Sequence, residues 1–358
     1  MTRFLTSVLL LAATSVQASG VVNVYNWSDY IAEDTIAKFE AETGIKVNYD
    51  VFDTNELLEA KLLAGSSGYD VVVPTGNFLE RQIQAGVFRP LDTAQLPNLA
   101  NMDAEISRIV SQHDPDNKHS VVYMWGTTGL AYDIAKIEER MPNAPVNSWD
   151  MIFDPAVISK FADCGVAILE SPSDMLATAK HYLGIDPASE SAADLEKAEA
   201  LWMSVRPHVR YFHASQYIND LANGDICLAV GYSGDLLQAR DRAVEADNGV
   251  EVAYVIPEEG GVVWFDLMAI PADAKNVAEA HQFINFVMDA QIAADITNYV
   301  FYANANSAST PLIDPEVTSD PGIYPSEAVK AGLFALRAHS PRYDRIMNRT
   351  WTRIKTGQ

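Results

Sequence analysis

Short apolar strand patterns alternate with helical patterns in the first part of the chain, and this alternation restricts the possible folds more than any other feature. Runs of β-branched and aromatic residues predict strands at 21–25, 45–52 and 69–74. Helical patterns follow them around Ile36 and Phe39, at 56–64 and at 78–85. Such alternation is typical of parallel βαβ units with right-handed crossovers. The sequence therefore predicts an α/β fold.

A second set of strand and helix patterns runs from about residue 127 to residue 245, with strands predicted at 166–169 and 226–230. Two more apolar runs lie within 251–271, and the rest of the chain has mainly a helical period. A chain of 358 residues that is 48% hydrophobic has enough apolar residues for two cored domains. The sequence has no internal repeat and no Pro/Gly/Ser-rich linker, so ordered crossings should join the domains.

The N-terminal segment has the pattern of a signal peptide. Arg3 precedes an apolar run from Phe4 to Ala13, and a stretch of small residues ends at Ala18. This order predicts export, with residues 1–18 as the signal peptide and cleavage after Ala18. The apolar run is shorter than the ~20 residues of a membrane span, so an uncleaved anchor is the less favoured alternative.

Acidic side chains far outnumber basic ones. The formal net charge is −23, and it becomes −24 without residues 1–18, whose one charged residue is Arg3. A protein of this charge repels nucleic acids and anionic lipids and attracts cations. We therefore expect no nucleic-acid partner, although acidity that serves solubility alone is the alternative explanation.

The cysteines and histidines give no sign of a metal site. Cys164 and Cys227 are the two cysteines, and in an oxidising compartment a disulfide is favoured over two buried thiols. The histidines are scattered without the spacing of metal ligands, so each is interpreted as surface or core: 113, 119, 181, 208, 213, 281 and 339. No metal and no cofactor are predicted.

Enzyme motifs are also missing from the sequence. Residues Gly231 to Asp235 look like a G-x-S-x-G turn, but the second glycine comes one residue too early. The chain has no P-loop, dinucleotide-binding glycine pattern or HExxH zinc motif. We therefore predict that the protein is not an enzyme.

Three times, an aromatic residue and an aspartate stand together at or near a predicted strand end. The clusters are Trp27-Ser28-Asp29-Tyr30, Tyr232-Ser233-Gly234-Asp235 and Trp264-Phe265-Asp266. Ligands of open α/β sheets bind outside the carboxyl ends of the strands, so these clusters should meet in one crevice. Aspartates pair with ammonium groups, and aromatic faces attract cations and cover methylene groups. The pattern indicates a site for an organic amine.

Each cluster also has a purely structural interpretation. Asp29 and Asp235 precede helical patterns, where they would serve as helix caps, and Trp264 would be an ordinary core residue. Asp266 has no obvious capping role within the apolar run 262–270, and it needs a partner if it is buried. Asp266 is therefore the strongest local evidence for a polar site.

The motifs together resemble a known family over essentially the whole chain after residue 18. The matching segments are Tyr25 to Tyr30, Tyr69 to Pro74, Gly231 to Asp235, Trp264 to Asp266 and Tyr302 to Asn306. They resemble the periplasmic putrescine- and spermidine-binding proteins of bacterial ABC importers. The resemblance implies a type II periplasmic binding protein, in which two α/β lobes joined by a hinge of crossing segments close on a polyamine and deliver it to a membrane permease.

The resemblance also implies roles for individual residues. It assigns an aromatic box to Trp27, Tyr232, Trp264 and Tyr302; ammonium acceptors to Asp29, Asp235 and Asp266; and further ligand contacts to Ser28, Tyr30, Thr75 and Asn77. It pairs Cys164 with Cys227. Glu170 and Ser173 stand at two positions that differ between putrescine and spermidine binders, and here the first alone is acidic. We therefore expect Glu170 to bind a second or internal nitrogen, with putrescine favoured and spermidine close behind.

The predicted lobes are residues 21–125 with 248–292, and residues 126–247 with 293–358. The expected protein is a periplasmic monomer, and agmatine or another cationic amine is an alternative ligand. An iron-binding protein of the same fold would need a tyrosine pair with His or carboxylate ligands, but the chain has no Tyr-Tyr dipeptide. A secreted hydrolase would need a nucleophile or a pair of acids, for which no signature is present.

Overall fold

The computed structural model describes residues 20–358 and shows helices alternating with strands. The predicted signal peptide, residues 1–18, lies outside the described residues. Within the described part, no helix combines the length and apolar character needed to cross a membrane.

Eleven strands and sixteen α-helices make up the described part of the chain. The strands are β1 (Val21–Trp27), β2 (Lys46–Phe52), β3 (Val71–Val72), β4 (Ser120–Asp133), β5 (Val166–Leu169), β6 (Tyr211–His213), β7 (Leu228–Tyr232), β8 (Val252–Val255), β9 (Val262–Ala269), β10 (Ala303–Asn304) and β11 (Phe334–Ala335). The helices are α1 (Thr35–Thr43), α2 (Asn55–Leu63), α3 (Gly76–Gln84), α4 (Ala104–Val110), α5 (Ile134–Arg140), α6 (Asp150–Phe153), α7 (Pro155–Ile158), α8 (Pro172–Tyr182), α9 (Ala192–Val205), α10 (Tyr217–Ala222), α11 (Ser233–Ala246), α12 (Val277–Val287), α13 (Ala290–Val300), α14 (Pro315–Thr318), α15 (Glu327–Lys330) and α16 (Pro341–Thr356).

The strands hydrogen-bond in the order β2-β1-β3-β9-β4-β7-β5-β6. The pairs β1–β2, β1–β3, β5–β6 and β5–β7 are parallel, as predicted for βαβ units. The central pairs β3–β9, β4–β9 and β4–β7 are antiparallel. The sheet is therefore mixed, because the central strands β9 and β4 run antiparallel to their neighbours in this order and interrupt the βαβ pattern.

Strand β4 belongs to both halves of the sheet. Its residues 120–127 pair with β9, and residues 128–133 pair with β7 and β8. The sequence pattern does not predict this strand, because burial on both faces removes the alternation and Gly126 and Gly129 resemble turn signals. Gly126 is needed here because a Cβ atom would lie 2.7 Å from the ring of Trp264.

The apolar core divides in the same way as the sheet. One core consists of residues between 130 and 252 together with 343–354. Two further cores consist mainly of residues between 22 and 125 and between 262 and 336. Residues 293–358 were all expected in the second lobe, but in the structure 293–336 packs with the first half because β10 pairs with β4 at Trp125 and β11 pairs with β9.

The disulfide between Cys164 and Cys227 is present, as predicted. Their Cα atoms lie 5.5 Å apart, and the two residues are separated by 63 positions in the sequence. Cys227 lies within the core of the second half of the sheet, so the bond ties the segment before β5 to the segment before β7.

Replacing both cysteines, as Cys164→Ala with Cys227→Ala, should lower the free energy of unfolding by about 2–5 kcal/mol, because the disulfide closes a long loop in the unfolded chain. Urea unfolding of the oxidised protein and the variant measures this difference. The reduced wild type is the matched control and should unfold at the same urea concentration as the variant. Equal stability of the oxidised protein and the variant would contradict the expectation.

Candidate ligand-binding site

A cavity of about 730 Å³, including its opening to solvent, lies between the two halves of the sheet. One wall comes from the loops after β1, β2 and β3, and the opposite wall comes from the loops after β5, β6 and β7. Strand β9 adds residues 263–266. The cavity thus lies at the carboxyl ends of the parallel strands, where α/β sheets bind ligands.

Eleven of the thirteen predicted ligand-binding residues line this cavity. They are Trp27, Ser28, Tyr30, Thr75, Asn77, Ser173, Tyr232, Asp235, Trp264, Asp266 and Tyr302. The structure thus brings together residues that are far apart in the sequence, as the three clusters predicted.

Asp29 lies outside the cavity lining. Its backbone has a positive φ of 52°, and its exposed carboxylate accepts a hydrogen bond from the guanidinium of Arg242 at 2.8 Å. It does not cap α1 either, because that helix begins after Asp34. The prediction placed Asp29 inside because it could not foresee Arg242, which comes from the distant helix α11.

Glu170 also lies outside the cavity lining. Its carboxylate is 2.5 Å from the ammonium of Lys355 and accepts a hydrogen bond from Nε1 of Trp351 at 3.2 Å. Both partners belong to the C-terminal helix α16. The charge of Glu170 is therefore balanced within the protein, away from the ligand position that the sequence analysis expected.

Aromatic rings form a continuous surface in the cavity. The ring of Tyr232 lies 6.3 Å from Trp27 and 5.4 Å from Trp264, and Trp264 lies 5.3 Å from Tyr302, measured between centroids. The indole N–H of Trp27 donates to the carbonyl of Val73 at 2.9 Å, which fixes the orientation of that ring. A flexible methylene chain would find an apolar wall on this surface.

Asp266 occupies the middle of β9, where it is 4% exposed. Its carboxylate accepts a hydrogen bond from Oγ1 of Thr75 at 2.7 Å. Burial raises the pKa of Asp266 to about 7, because the charged form loses its hydration, although the bond from Thr75 opposes the shift. The carboxylate of Asp266 has lost most of its hydration, so it can pair favourably with a cation.

Asp235 lies in the first turn of α11, close to the positive end of the helix dipole. It accepts hydrogen bonds from the hydroxyl groups of Tyr217 at 2.7 Å and Tyr302 at 2.6 Å. Burial raises its pKa to about 6 in spite of these donors. Gly234 permits this arrangement, because a Cβ atom there would lie 2.4 Å from the ring of Tyr302.

Asp174 is a third buried carboxylate in the cavity, and the sequence analysis missed it. It accepts hydrogen bonds from Thr128 at 3.0 Å and Ser171 at 2.5 Å, while burial raises its pKa. A signal was present, because Ser171-Pro172 is a helix start directly after a predicted strand. Asp174 and Asp235 both lie in the first turn of a helix that follows a strand, but no aromatic residue stands beside Asp174, so the aromatic–aspartate pattern does not mark it.

The pKa of Asp266 is raised further by the two neighbouring carboxylates. The charges of Asp174 and Asp235 add to the effect of burial on Asp266. Among the described lining residues there is no lysine or arginine to balance them. Within residues 20–358, no group of three or more His, Cys, Asp or Glu side chains is arranged to hold a metal ion. The arrangement suits an organic cation whose charges lie on nitrogen.

A crevice between two α/β halves, lined by aromatic rings and buried carboxylates, defines a two-lobed ligand-binding protein. Residues 34–325 match the family described as bacterial extracellular solute-binding protein. The chain belongs to this family, so the predicted type II periplasmic binding protein fold is confirmed.

Individual relatives agree with this assignment. The chain is 53% identical to the putrescine-binding periplasmic protein PotF of Escherichia coli over 94% of this chain and 92% of that protein. It is 40% identical to a putrescine/agmatine-binding protein of Pseudomonas aeruginosa over 99% and 97% of the two chains. The structure matches the spermidine/putrescine ABC transporter substrate-binding protein PotD of Streptococcus pneumoniae with a TM-score of 0.75 at 25% identity, covering 95% and 99%. The predicted periplasmic location is confirmed by the family and its periplasmic members.

Asp266→Asn should stabilise the ligand-free protein at pH 8. The pKa of Asp266 is higher in the folded state than its ordinary value of 3.8, so the folded protein holds the extra proton between about pH 4 and pH 7. The proton on Asp266 therefore stabilises the folded protein most below pH 4, and this stabilisation is lost as the pH rises through 7. We expect the free energy of unfolding of the variant to exceed that of the wild type by on the order of a few kcal/mol at pH 8 and by much less at pH 4.

Urea unfolding of both ligand-free proteins at pH 4, 6 and 8 measures this difference. Asp29→Asn is the matched control, because it removes one negative charge at an exposed position outside the cavity. A wild type that is more stable than Asp266→Asn at pH 8 would contradict the account of this carboxylate.

Proposed function

We propose that this protein captures a polyamine in the cavity and delivers it to the membrane permease of an ABC transporter. The observation that carries the proposal is the set of three buried carboxylates, with no lysine or arginine among the described lining residues. A buried carboxylate without a counter-charge is strongly unfavourable. A ligand that carries two or more ammonium groups supplies the missing positive charges.

The chemistry of the lining supports this ligand class energetically. A hydrogen bond between a carboxylate and an ammonium group contributes roughly 1.5–3 kcal/mol, and a desolvated cation–π contact contributes up to about 2 kcal/mol. Two ends with one contact of each kind give up to roughly 7–10 kcal/mol, which is comparable to the ~8 kcal/mol of micromolar binding before the entropy of association is subtracted. The aromatic surface adds an apolar contact for the methylene chain between the two ends.

The relatives narrow the choice of ligand. PotF, at 53% identity, is a putrescine-binding protein, and the relative at 40% identity binds putrescine and agmatine. Putrescine is therefore the favoured ligand of this chain, agmatine is the second candidate, and spermidine follows. All three carry at least two positive charges on nitrogen at neutral pH.

The proposal also covers the oligomeric state of the protein and the motion of its two lobes. A carrier of this kind acts as a monomer without catalysis and without nucleic acid. The two lobes hinge where β4 passes between the halves of the sheet and where the segments 256–261 and 336–340 cross between them. Closure of the lobes over the ligand excludes water and strengthens each ammonium–carboxylate contact.

Isothermal titration of ligand-free protein tests the proposed function directly. Putrescine, cadaverine, agmatine, spermidine and spermine are titrated in turn, and putrescine should bind with micromolar affinity or better. The neutral isostere 1,4-butanediol is the control and should produce no binding heat, because it has no charge for the aspartates. Absence of binding by all five amines would exclude the proposed ligand class.

Asp174→Asn should weaken putrescine binding at least tenfold, because the amide keeps the shape of the side chain but cannot pair with an ammonium group. Binding of 1-butylamine, which has one ammonium group for the remaining aspartates, should stay within about threefold of the wild type. Titration calorimetry with both amines measures the two effects. Equal losses for the diamine and the monoamine would show that Asp174 does not hold one ammonium end.

A further inference from the structure

His113 forms part of the cavity wall, although the sequence analysis interpreted it as a surface or core residue. It follows α4 and is 2% exposed. The role of the three aspartates does not explain why a buried imidazole stands in a site for cations. Its hydrogen bonds and its orientation suggest an answer.

One edge of the imidazole is fixed by a carboxylate. Nδ1 of His113 lies 3.2 Å from Oε2 of Glu80, which is itself bound by the guanidinium of Arg337 at 3.0 and 3.2 Å. Burial raises the pKa of Glu80, but the bonds from His113 and Arg337 outweigh this effect and lower it to about 2. Glu80 is therefore ionised and can only accept a hydrogen bond, so Nδ1 carries the proton.

One face of the imidazole is covered by Gly76, which also lines the cavity. A Cβ atom on Gly76 would be 2.6 Å from Cδ2 of His113 and 3.1 Å from Nε2. Any side chain at position 76 would thus displace the imidazole. Glu80 occupies Nδ1, so Nε2 is the ring nitrogen left to meet a ligand in the cavity, and it carries a lone pair whenever the ring holds its single proton on Nδ1.

We infer that Nε2 of His113 accepts a hydrogen bond from an N–H group of the bound amine, which makes His113 a ligand-binding residue of the cavity. This inference rests on the proposed function of the cavity. A neutral acceptor suits the site, because it satisfies an N–H group without adding another negative charge to those of the buried aspartates. Glu80 and Arg337 act through the imidazole as positioning residues, since they hold its tautomer and its orientation.

Nitrogen NMR of the wild-type protein tests the inference without any substitution. Protein labelled with ¹⁵N-histidine is measured at pH 8 with and without saturating putrescine, and His113→Gln identifies the signals. The ligand-free protein should show Nδ1 protonated and Nε2 unprotonated. On binding, the Nε2 signal should move toward lower frequency as its lone pair accepts a hydrogen bond. A protonated Nε2, or an Nε2 signal that the ligand does not move, would overturn the inference.

Two substitutions separate the role of each ring nitrogen. The amide of His113→Asn reaches the position of Nδ1 and keeps the bond to Glu80, whereas the amide of His113→Gln reaches the position of Nε2. Putrescine affinity should fall about tenfold in the Asn variant and stay within about threefold of wild type in the Gln variant. Equal affinities of the two variants would contradict the role of Nε2.

The outcomes also separate this inference from the proposed function. A wild-type protein that binds none of the five amines refutes the proposed function, and the inference about His113 falls with it. A wild-type protein that binds putrescine without a change at Nε2 refutes the inference alone. Urea unfolding of both variants shows whether any loss of affinity comes from loss of structure.

Discussion

The burial of Asp174, Asp235 and Asp266 in one cavity is the constraint on which the rest of the site depends. Each carboxylate keeps a few hydroxyl donors, but these do not replace the water that burial removes, as the raised pKa values show. The ligand-free protein therefore carries an electrostatic penalty within its own fold. A cationic ligand removes that penalty, so part of the binding energy comes from relief of repulsion that the fold maintains.

The fold can hold this arrangement because its strands and helices fix each group separately. Asp174 and Asp235 lie in the first turns of α8 and α11, where the positive ends of the helix dipoles support a negative charge. Asp266 is fixed in β9 between β3 and β4. Glycines at close approaches, Gly126 and Gly234, let the aromatic rings pack against the backbone. The rigid elements provide the geometry, and the crossing strand β4 joins the two walls.

The α/β class could be predicted from the sequence because strand and helix patterns are local, and half of the cavity lining could be predicted from the aromatic–aspartate clusters together with the family resemblance. Asp266 could be recognised because no local structural role explained a carboxylate within an apolar run. The positions of Asp29 and Glu170 could not be predicted, since their partners Arg242 and Lys355 come from distant helices. The interaction of His113 with Glu80 is likewise a tertiary contact without a sequence signal. Strand β4 was missed because a strand buried on both faces lacks alternation.

A count of the protons that putrescine displaces tests the central claim most directly. Titration at pH 6.5 in buffers of different ionisation enthalpy measures the number of protons exchanged on binding. Because the pKa values of Asp235 and Asp266 are about 6 and about 7 without ligand, a bound dication should release about one proton at pH 6.5 and almost none at pH 8.5. Putrescine binding that releases no protons at pH 6.5, or that takes protons up, would contradict the claim that ligand charge replaces protons on these buried carboxylates.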